Sequence, residues 1–335
     1  MPLSELSPSF ISSAIAEQVF DWRDAIAALQ QVYANPYEPK ATPPRVIAAS
    51  GQSWLRALPA VPAGYRYFGA KLMGMAAEKS GAGVQYVIVL FDRETSEIAA
   101  FVDAEKVTGF RTAATSAAAL DKLAPAKVSR LAVLGSGLEA QMHTRAFASI
   151  RGFEEIVVYS PTPASRQRFA DLLAPELGVN IVTVDNPEAA VKGADIVLAA
   201  ARSRGEQPIL FGEWLKDGAV TVSIGSTIPA QREIDVSVVD RTDLIVCDML
   251  HEVMEETGDM IAARDAGIEF EDKCAAIEAL MSGELDDQLA AARNPMFKSV
   301  GGGLQDVVVA GMILDRAKAA GVAQVLPIQF MTKEV

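Results

Sequence analysis

Apolar and polar positions change rhythm along this chain. Residues 4–17 and 22–33 read as helices, and a proline-rich stretch over 35–45 follows. Short strand-like runs come next, over 45–49, 54–60, 67–73, 86–92 and 98–103, punctuated by Gly, Pro, Asp and Ser. Such runs without helices between them predict an antiparallel sheet. From Arg111 the pattern lengthens. Residues 112–123 read as an alanine-rich helix, and apolar strands over 131–134, 156–159, 179–184, 194–200, 219–225 and 244–248 then alternate with helical segments. That alternation predicts a parallel, doubly wound sheet. Residues 304–320 read as a further helix, and Gly301–Gly303 before it as a hinge or ligand-approach loop. The expected class is α/β: a doubly wound domain plus an α+β domain with a mainly antiparallel sheet.

Composition narrows the function classes. A chain of 335 residues is long enough for two domains with separate cores. Half of it is hydrophobic, yet no apolar run approaches the length of a membrane span. The start, Met1-Pro-Leu-Ser-Glu-Leu6, lacks the basic and apolar regions of a secretion signal. Cys247 and Cys274 make no disulfide framework, and no Cys or His cluster has metal-ligand spacing. A net charge of −13 argues against nucleic acid and leaves a small anionic substrate open, because local charge can oppose the global one. The expectation is a cytoplasmic protein with no metal, nucleic-acid or membrane partner.

The sharpest motif is Leu131-Ala-Val-Leu-Gly-Ser-Gly-Leu-Glu-Ala-Gln141, a strand running into a glycine turn and then a helix. Gly135 and Gly137 let the backbone approach a pyrophosphate, Leu138 opens the helix, and Ala140 takes the small position where helix meets strand. The context, strand before and helix after, is what makes this turn a dinucleotide site. NAD-preferring sites place an acid at the end of the second strand to hold the ribose. Here that strand ends in Ser160-Pro-Thr-Pro-Ala-Ser-Arg166, without Asp or Glu. Ser160, Thr162 and Arg166 suit a 2′-phosphate, so NADP is favoured over NAD; Thr162 also suits the cap of the next helix, with Pro163 at its first position. Ser203 follows a strand end, where doubly wound folds place ligands. His143 reads as a packing or surface residue rather than a base.

Several motifs in fixed order resemble the ornithine cyclodeaminase/mu-crystallin family, which also holds imine reductases and amino-acid dehydrogenases. They are Pro43-Pro-Arg45, Gly69-Ala-Lys71, Val89-Leu-Phe-Asp92, Gly109-Phe-Arg-Thr-Ala-Ala-Thr-Ser116, the glycine turn, Phe297-Lys-Ser-Val-Gly301 and Gln305-Asp306. The resemblance implies a substrate and dimerisation domain over 1–115 with 304–335, a dinucleotide domain over 116–303, and a homodimer built through the first sheet. It also implies that Arg45, Lys71 and Arg111 bind a substrate carboxylate, with Lys71 catalytic at the reacting nitrogen. Guanidinium grips a carboxylate with two donors, and a buried amine can lend or take a proton. Without the family's pattern, each would be read as a surface cation in an ion pair. Thr112 reads as a helix cap or a phosphate contact. Lys298 and Gly301 line the nicotinamide pocket in relatives, though Lys298 also reads as a structural cation.

One departure separates the chemistries. Ornithine cyclodeaminases carry an Asp just after the glycine that ends the fifth strand of the dinucleotide domain, where it holds the substrate's side-chain amine. Here Ser226 or Thr227 follows Gly225. A hydroxyl neither pairs with nor deprotonates an ammonium as a carboxylate does. Ser226 is left to the cofactor side of the pocket. The expected activity is NAD(P)H-dependent reduction of a 2-imino acid, reversible as amino-acid oxidation. The alternatives are a cyclodeaminase with bound NAD and a mu-crystallin-like coenzyme-binding protein.

Overall fold

The computed structural model describes residues 7–36, 38–76, 83–201 and 205–331. The chain divides into two units, Met1–Thr112 with Gly302–Val335 and Ala113–Gly301. It starts with β1 (Ser9–Ile11), α1 (Ser13–Val19) and α2 (Trp22–Tyr33). Then come β2 (Val46–Ser50), β3 (Ser53–Ala60), β4 (Tyr67–Met75), β5 (Val84–Asp92), β6 (Ile98–Asp103) and α3 (Ala104–Leu123). The middle of the chain forms β7 (Arg130–Leu134), α4 (Leu138–Ile150), β8 (Glu155–Tyr159), α5 (Pro163–Leu177), β9 (Asn180–Val184), α6 (Pro187–Val191), β10 (Ile196–Ala199) and β11 (Val220–Ser223). It continues through α7 (Val236–Arg241), β12 (Leu244–Cys247), α8 (Leu250–Glu256), α9 (Gly258–Asp265), β13 (Cys274–Ala276), α10 (Ile277–Ser282), α11 (Asp286–Ala291) and β14 (Pro295–Lys298). The last elements, α12 (Gly303–Ala319) and β15 (Gln324–Val325), return to the first unit.

The first unit is a seven-stranded sheet in the order β15-β1-β6-β5-β4-β3-β2. Strands β2 to β6 form the expected antiparallel meander; β1 joins β6 in parallel, and β15 joins β1 antiparallel. Alternation puts Leu58, Lys71, Ile88 and Val102 in one cross-strand row, and all are buried. Helix α12 packs over this face against β3, β4 and β5, and its Val307, Val308, Ile313 and Leu314 are buried. The approach is close. A Cβ on Gly303 would lie 2.6 Å from the carbonyl oxygens of Leu58 and Pro59, and one on Gly311 would lie 2.6 Å from Tyr65 Oη. Tyr65 Oη donates to the Val308 carbonyl at 2.9 Å and Tyr67 Oη to Asp315 at 2.6 Å, so two tyrosines pin the helix to β4.

The second unit holds a wholly parallel eight-stranded sheet, β13-β12-β14-β11-β10-β7-β8-β9. Strand order reverses between β7 and β10, the switch point where doubly wound sheets bind ligands. Its core is the buried apolar set from β7, β10, β11, β12 and β14.

Some expectations change. Residues 9–11, expected within a helix, pair as β1, and Ser12 caps α1 by accepting from the Ile15 N–H at 3.3 Å. Helix α3 begins at Ala104 rather than Thr112. Gly109 suggests a break there, but Val107, Phe110 and Ala113 are buried and carry the helix through it. Thr112 therefore lies inside the helix, with its hydroxyl donating to the Thr108 carbonyl at 2.7 Å, and it caps nothing. Gly303 opens α12 where a side chain would collide with the Leu58 and Pro59 carbonyls, so it serves the contact between helix and strand. Strands β13 and β14 were not anticipated.

Candidate active site

In the first unit, α12 presents its first turn to β4 and α3. Lys71 Nζ donates to Asp306 Oδ1 at 2.9 Å, and Arg111 Nε lies 3.0 Å from the same oxygen. Arg111 Nη1 donates to Gln305 Oε1 at 2.9 Å. The side chains of Lys71 and Asp306 are 1% and 0% exposed. Arg45, half-buried just before β2, adds its field to Lys71. Positive charge therefore exceeds negative in this buried cluster, which suits an anion.

The Lys71 ammonium is pulled down to about 8. Burial is the main cause, and Arg111 and then Arg45 add to it against the opposing pull of Asp306. An amine tuned near neutrality can exchange a proton with a bound ligand. Asp306 Oδ2 is buried and has no hydrogen-bond partner among the described residues. A bare acceptor beside two cations is costly unless a donor arrives. Asp306 is the site residue that sequence reasoning left without a role; its signal was an acid in the first turn of an otherwise apolar helix, next to Gln305.

In the second unit, Gly135 has φ +122° and donates its N–H to the Tyr159 carbonyl at 2.8 Å. A Cβ there would lie 2.5 Å from the Ala200 carbonyl oxygen, so only glycine fits. Gly137 caps α4 without a side-chain bond, and a Cβ on it would meet nothing within 4 Å. The turn thus leaves open space at a helix amino terminus, the cradle that a pyrophosphate needs. Ala140 is buried and Leu138 is 53% exposed on the first turn.

The end of β8 carries no carboxylate. Arg166 Nη1 donates to the Ser160 carbonyl at 2.8 Å, while Thr162 occupies the cap position of α5 without a side-chain cap bond and Pro163 follows. Ser226 is buried, donating to the Gln231 carbonyl at 2.6 Å and accepting from the Asp259 N–H at 3.3 Å. Lys298 is fully buried at the end of β14, donating to Asp259 Oδ2 at 2.9 Å and Ser223 Oγ at 3.0 Å. Gly301 takes φ +79° and donates to Asp248 Oδ2 at 2.9 Å. Ser203 lies outside the described residues. His143 is buried, with Ser116 Oγ 3.0 Å from Nε2 and the Glu139 carbonyl 2.7 Å from Nδ1, a packing position. Among the described residues no helix is long and apolar enough to cross a membrane, and no His, Cys, Asp or Glu cluster is disposed to hold a metal.

A parallel sheet with a glycine turn at its switch point, in a chain that also holds a buried cationic cluster, defines a dinucleotide-dependent oxidoreductase. The profile of the ornithine cyclodeaminase/mu-crystallin family matches residues 15–321, and the chain belongs to that family. It is 30% identical over 240 residues to the iminosuccinate reductase of Paracoccus denitrificans, covering 72% of this chain and 73% of that one. It is 28% identical over 273 residues to the ketimine reductase mu-crystallin of Mus musculus, covering 81% and 82%. The crystal structure of the Paracoccus denitrificans iminosuccinate reductase in complex with NAD+ superposes with a TM-score of 0.86 at 25% identity, over 96% of this chain and 100% of that one.

Proposed function

We propose that this chain is an NAD(P)H-dependent reductase of 2-imino acids, working in reverse as an amino-acid dehydrogenase. The observation that carries the proposal is the buried cluster of Lys71, Arg111 and Asp306, with its surplus of positive charge and one carboxylate oxygen that has no partner among the described residues. Arg111 and Arg45 hold the substrate carboxylate. Lys71 delivers a proton to the imine nitrogen, or removes it from the amine in reverse. Asp306 holds the Lys71 ammonium through Oδ1, and its Oδ2 accepts the N–H of the substrate. When bound, the reduced coenzyme supplies the hydride. Gly135, Gly137, Leu138 and Ala140 form its pyrophosphate cradle.

NADPH is the preferred coenzyme on this reading, since Ser160, Thr162 and Arg166 stand at the end of β8 without a carboxylate. The active form is a homodimer through the first sheet. Val46, Leu55, Leu72 and Val87 lie on the face opposite the Lys71 row, Val46 and Leu55 at 61% and 50% exposure. A groove of about 970 Å³ lined by Phe10, Leu55, Leu72 and Val87 opens on that face. The free thiols of Cys247 and Cys274 suit the reducing cytoplasm.

The test is loss of reduced-nicotinamide absorbance with NADPH and NADH against a panel of cyclic imines and of 2-oxo acids mixed with amines. Net oxidation with one imine class is the expected result. Cyclisation of a diamino acid with no net absorbance change would mean cyclodeamination instead, despite Ser226. Sedimentation velocity checks the dimer.

A further inference from the structure

We propose that Glu233 is a positioning residue for the coenzyme: its carboxylate fixes the segments that leave β10 and β11, and thereby sets how tightly the dinucleotide is held. The inference rests on the reading of the second unit as the coenzyme-binding one. Glu233 is fully buried. Its Oε1 accepts from the Ala201 N–H at 2.9 Å. Its Oε2 accepts from Ser223 Oγ at 2.8 Å, the Ile224 N–H at 3.1 Å and the Gly225 N–H at 2.8 Å. One side chain thus ties the carboxyl ends of two neighbouring strands, on the edge where doubly wound sheets take ligands.

The tie reaches the phosphate turn. A Cβ on Gly135 would lie 2.5 Å from the Ala200 carbonyl oxygen and 3.1 Å from Ala201 Cβ, so the turn abuts the segment that Glu233 holds. Gly225 makes room for the carboxylate, because a Cβ there would fall 2.2 Å from Glu233 Oε1. The backbone beneath is fixed as well. Asp259 Oδ1 accepts from the N–H groups of Glu233 and Ile234 at 2.8 and 3.2 Å, and its Oδ2 takes Lys298. Among the described residues, the charged groups around Glu233 are Lys298 from β14, Asp259 from α9 and Arg232 beside it in the chain, itself paired to Asp259.

Among the described residues, the Glu233 carboxylate accepts from three backbone N–H groups, which can only donate, and from the Ser223 hydroxyl. The ionised form satisfies all of them. Once protonated, the carboxyl either points its hydrogen at a backbone N–H and loses that contact, or gives it to Ser223 Oγ, whose own hydrogen must then leave the carboxylate. Burial raises the Glu233 carboxyl to about 7, with Lys298 pulling down and Asp259 pushing up. The four-donor arrangement therefore gives way to a protonated one as pH falls through neutrality, and coenzyme affinity should follow the ionised form.

The experiment is fluorescence titration of NADH and NADPH onto the full chain, without imino acid, from pH 6 to 8. It compares the unaltered protein with Glu233→Gln and Glu278→Gln. Glu278 is the control because its carboxyl is also raised to about 7. In the unaltered protein, affinity should weaken by about tenfold from pH 8 to pH 6, following the ionised fraction. Glu233→Gln should bind about tenfold more weakly at pH 8 and lose the pH dependence, while Glu278→Gln keeps it. The titration of the NADPH 2′-phosphate is common to all three proteins and cancels. Unaltered affinity in Glu233→Gln, a flat profile in the unaltered protein, or a slope lost only in Glu278→Gln would each overturn the inference. Should Glu233→Gln fail to fold, Ser223→Ala decides. With one donor gone, the midpoint of the pH profile should move up, and an unmoved midpoint overturns the inference. If the unaltered chain binds neither coenzyme, the coenzyme reading falls and this inference with it; a chain that binds coenzyme but reduces no imine loses only the proposed reaction.

Discussion

Replacing Asp306 by Asn tests whether the buried cluster tunes Lys71. Asp306 Oδ1 lies 2.9 Å from Lys71 Nζ and 3.0 Å from Arg111 Nε, and all three side chains are buried. A charge-assisted hydrogen bond of this kind contributes about 1.5–3 kcal/mol. At 1.36 kcal/mol per pKa unit, its loss lowers the Lys71 ammonium by about one to two units from its present value. That value is about 8, held down by burial and the two arginines. The sign follows from the proton's role. Imine reduction needs Lys71 protonated, so its rate falls as pH rises through about 8; amine oxidation rises over the same range. In Asp306→Asn both limbs should move down by about one to two pH units. Two cations left without their carboxylate should also cost about 3–5 kcal/mol of stability. The assay is the pH dependence of kcat/KM in both directions, beside a thermal melt. A folded variant whose limbs stay at the original pH refutes the role given to Asp306.

Lys71→Met should cut kcat by about a hundredfold or more while coenzyme affinity stays unchanged, read from steady-state rates beside fluorescence titration. Gly135→Ala forces a Cβ to 2.5 Å from a carbonyl oxygen at φ +122°, so coenzyme binding should vanish and the melting temperature fall. Arg166→Ala should raise KM for NADPH by about tenfold and leave KM for NADH unchanged, since only the 2′-phosphate needs the guanidinium. Glu278 is pushed up from 4.5 to about 7, mainly by burial and then by Asp248. Its contribution to stability is therefore complete below 4.5 and lost as pH rises through about 7. Denaturant melts of Glu278→Gln should be flatter with pH across that window.

The antiparallel front and the glycine turn were legible because each is a local pattern: short strand-like runs punctuated by turn residues over 45–103, and glycines placed between a strand and a helix. Helix α3 was misread at its start because Gly109 weakens local helix propensity, while burial of Val107 and Phe110 overrides it. Strands β1 and β15 pair with each other from opposite ends of the chain, which no short window can reveal. Glu233, Asp259 and the role of Asp306 escaped for a related reason. An isolated acid in a sequence reads as a solvated surface group, and its partners lie far along the chain: Lys71 for Asp306 and Lys298 for Asp259.

The first sheet waits for the end of the chain. Its inner face, with Leu58, Ile88, Leu90 and Val102, is covered by α12, and β1 gains its outer partner only at β15. A nascent chain that has emerged only through β6 therefore has no helix to shield these side chains. The intervening segment can meanwhile assemble its parallel sheet from contacts of its own. Folding order should thus invert sequence order, with the second unit forming first and the first unit closing when α12 arrives. Chains shortened before residue 303 should be captured by chaperones or aggregate, although they keep every residue of the meander.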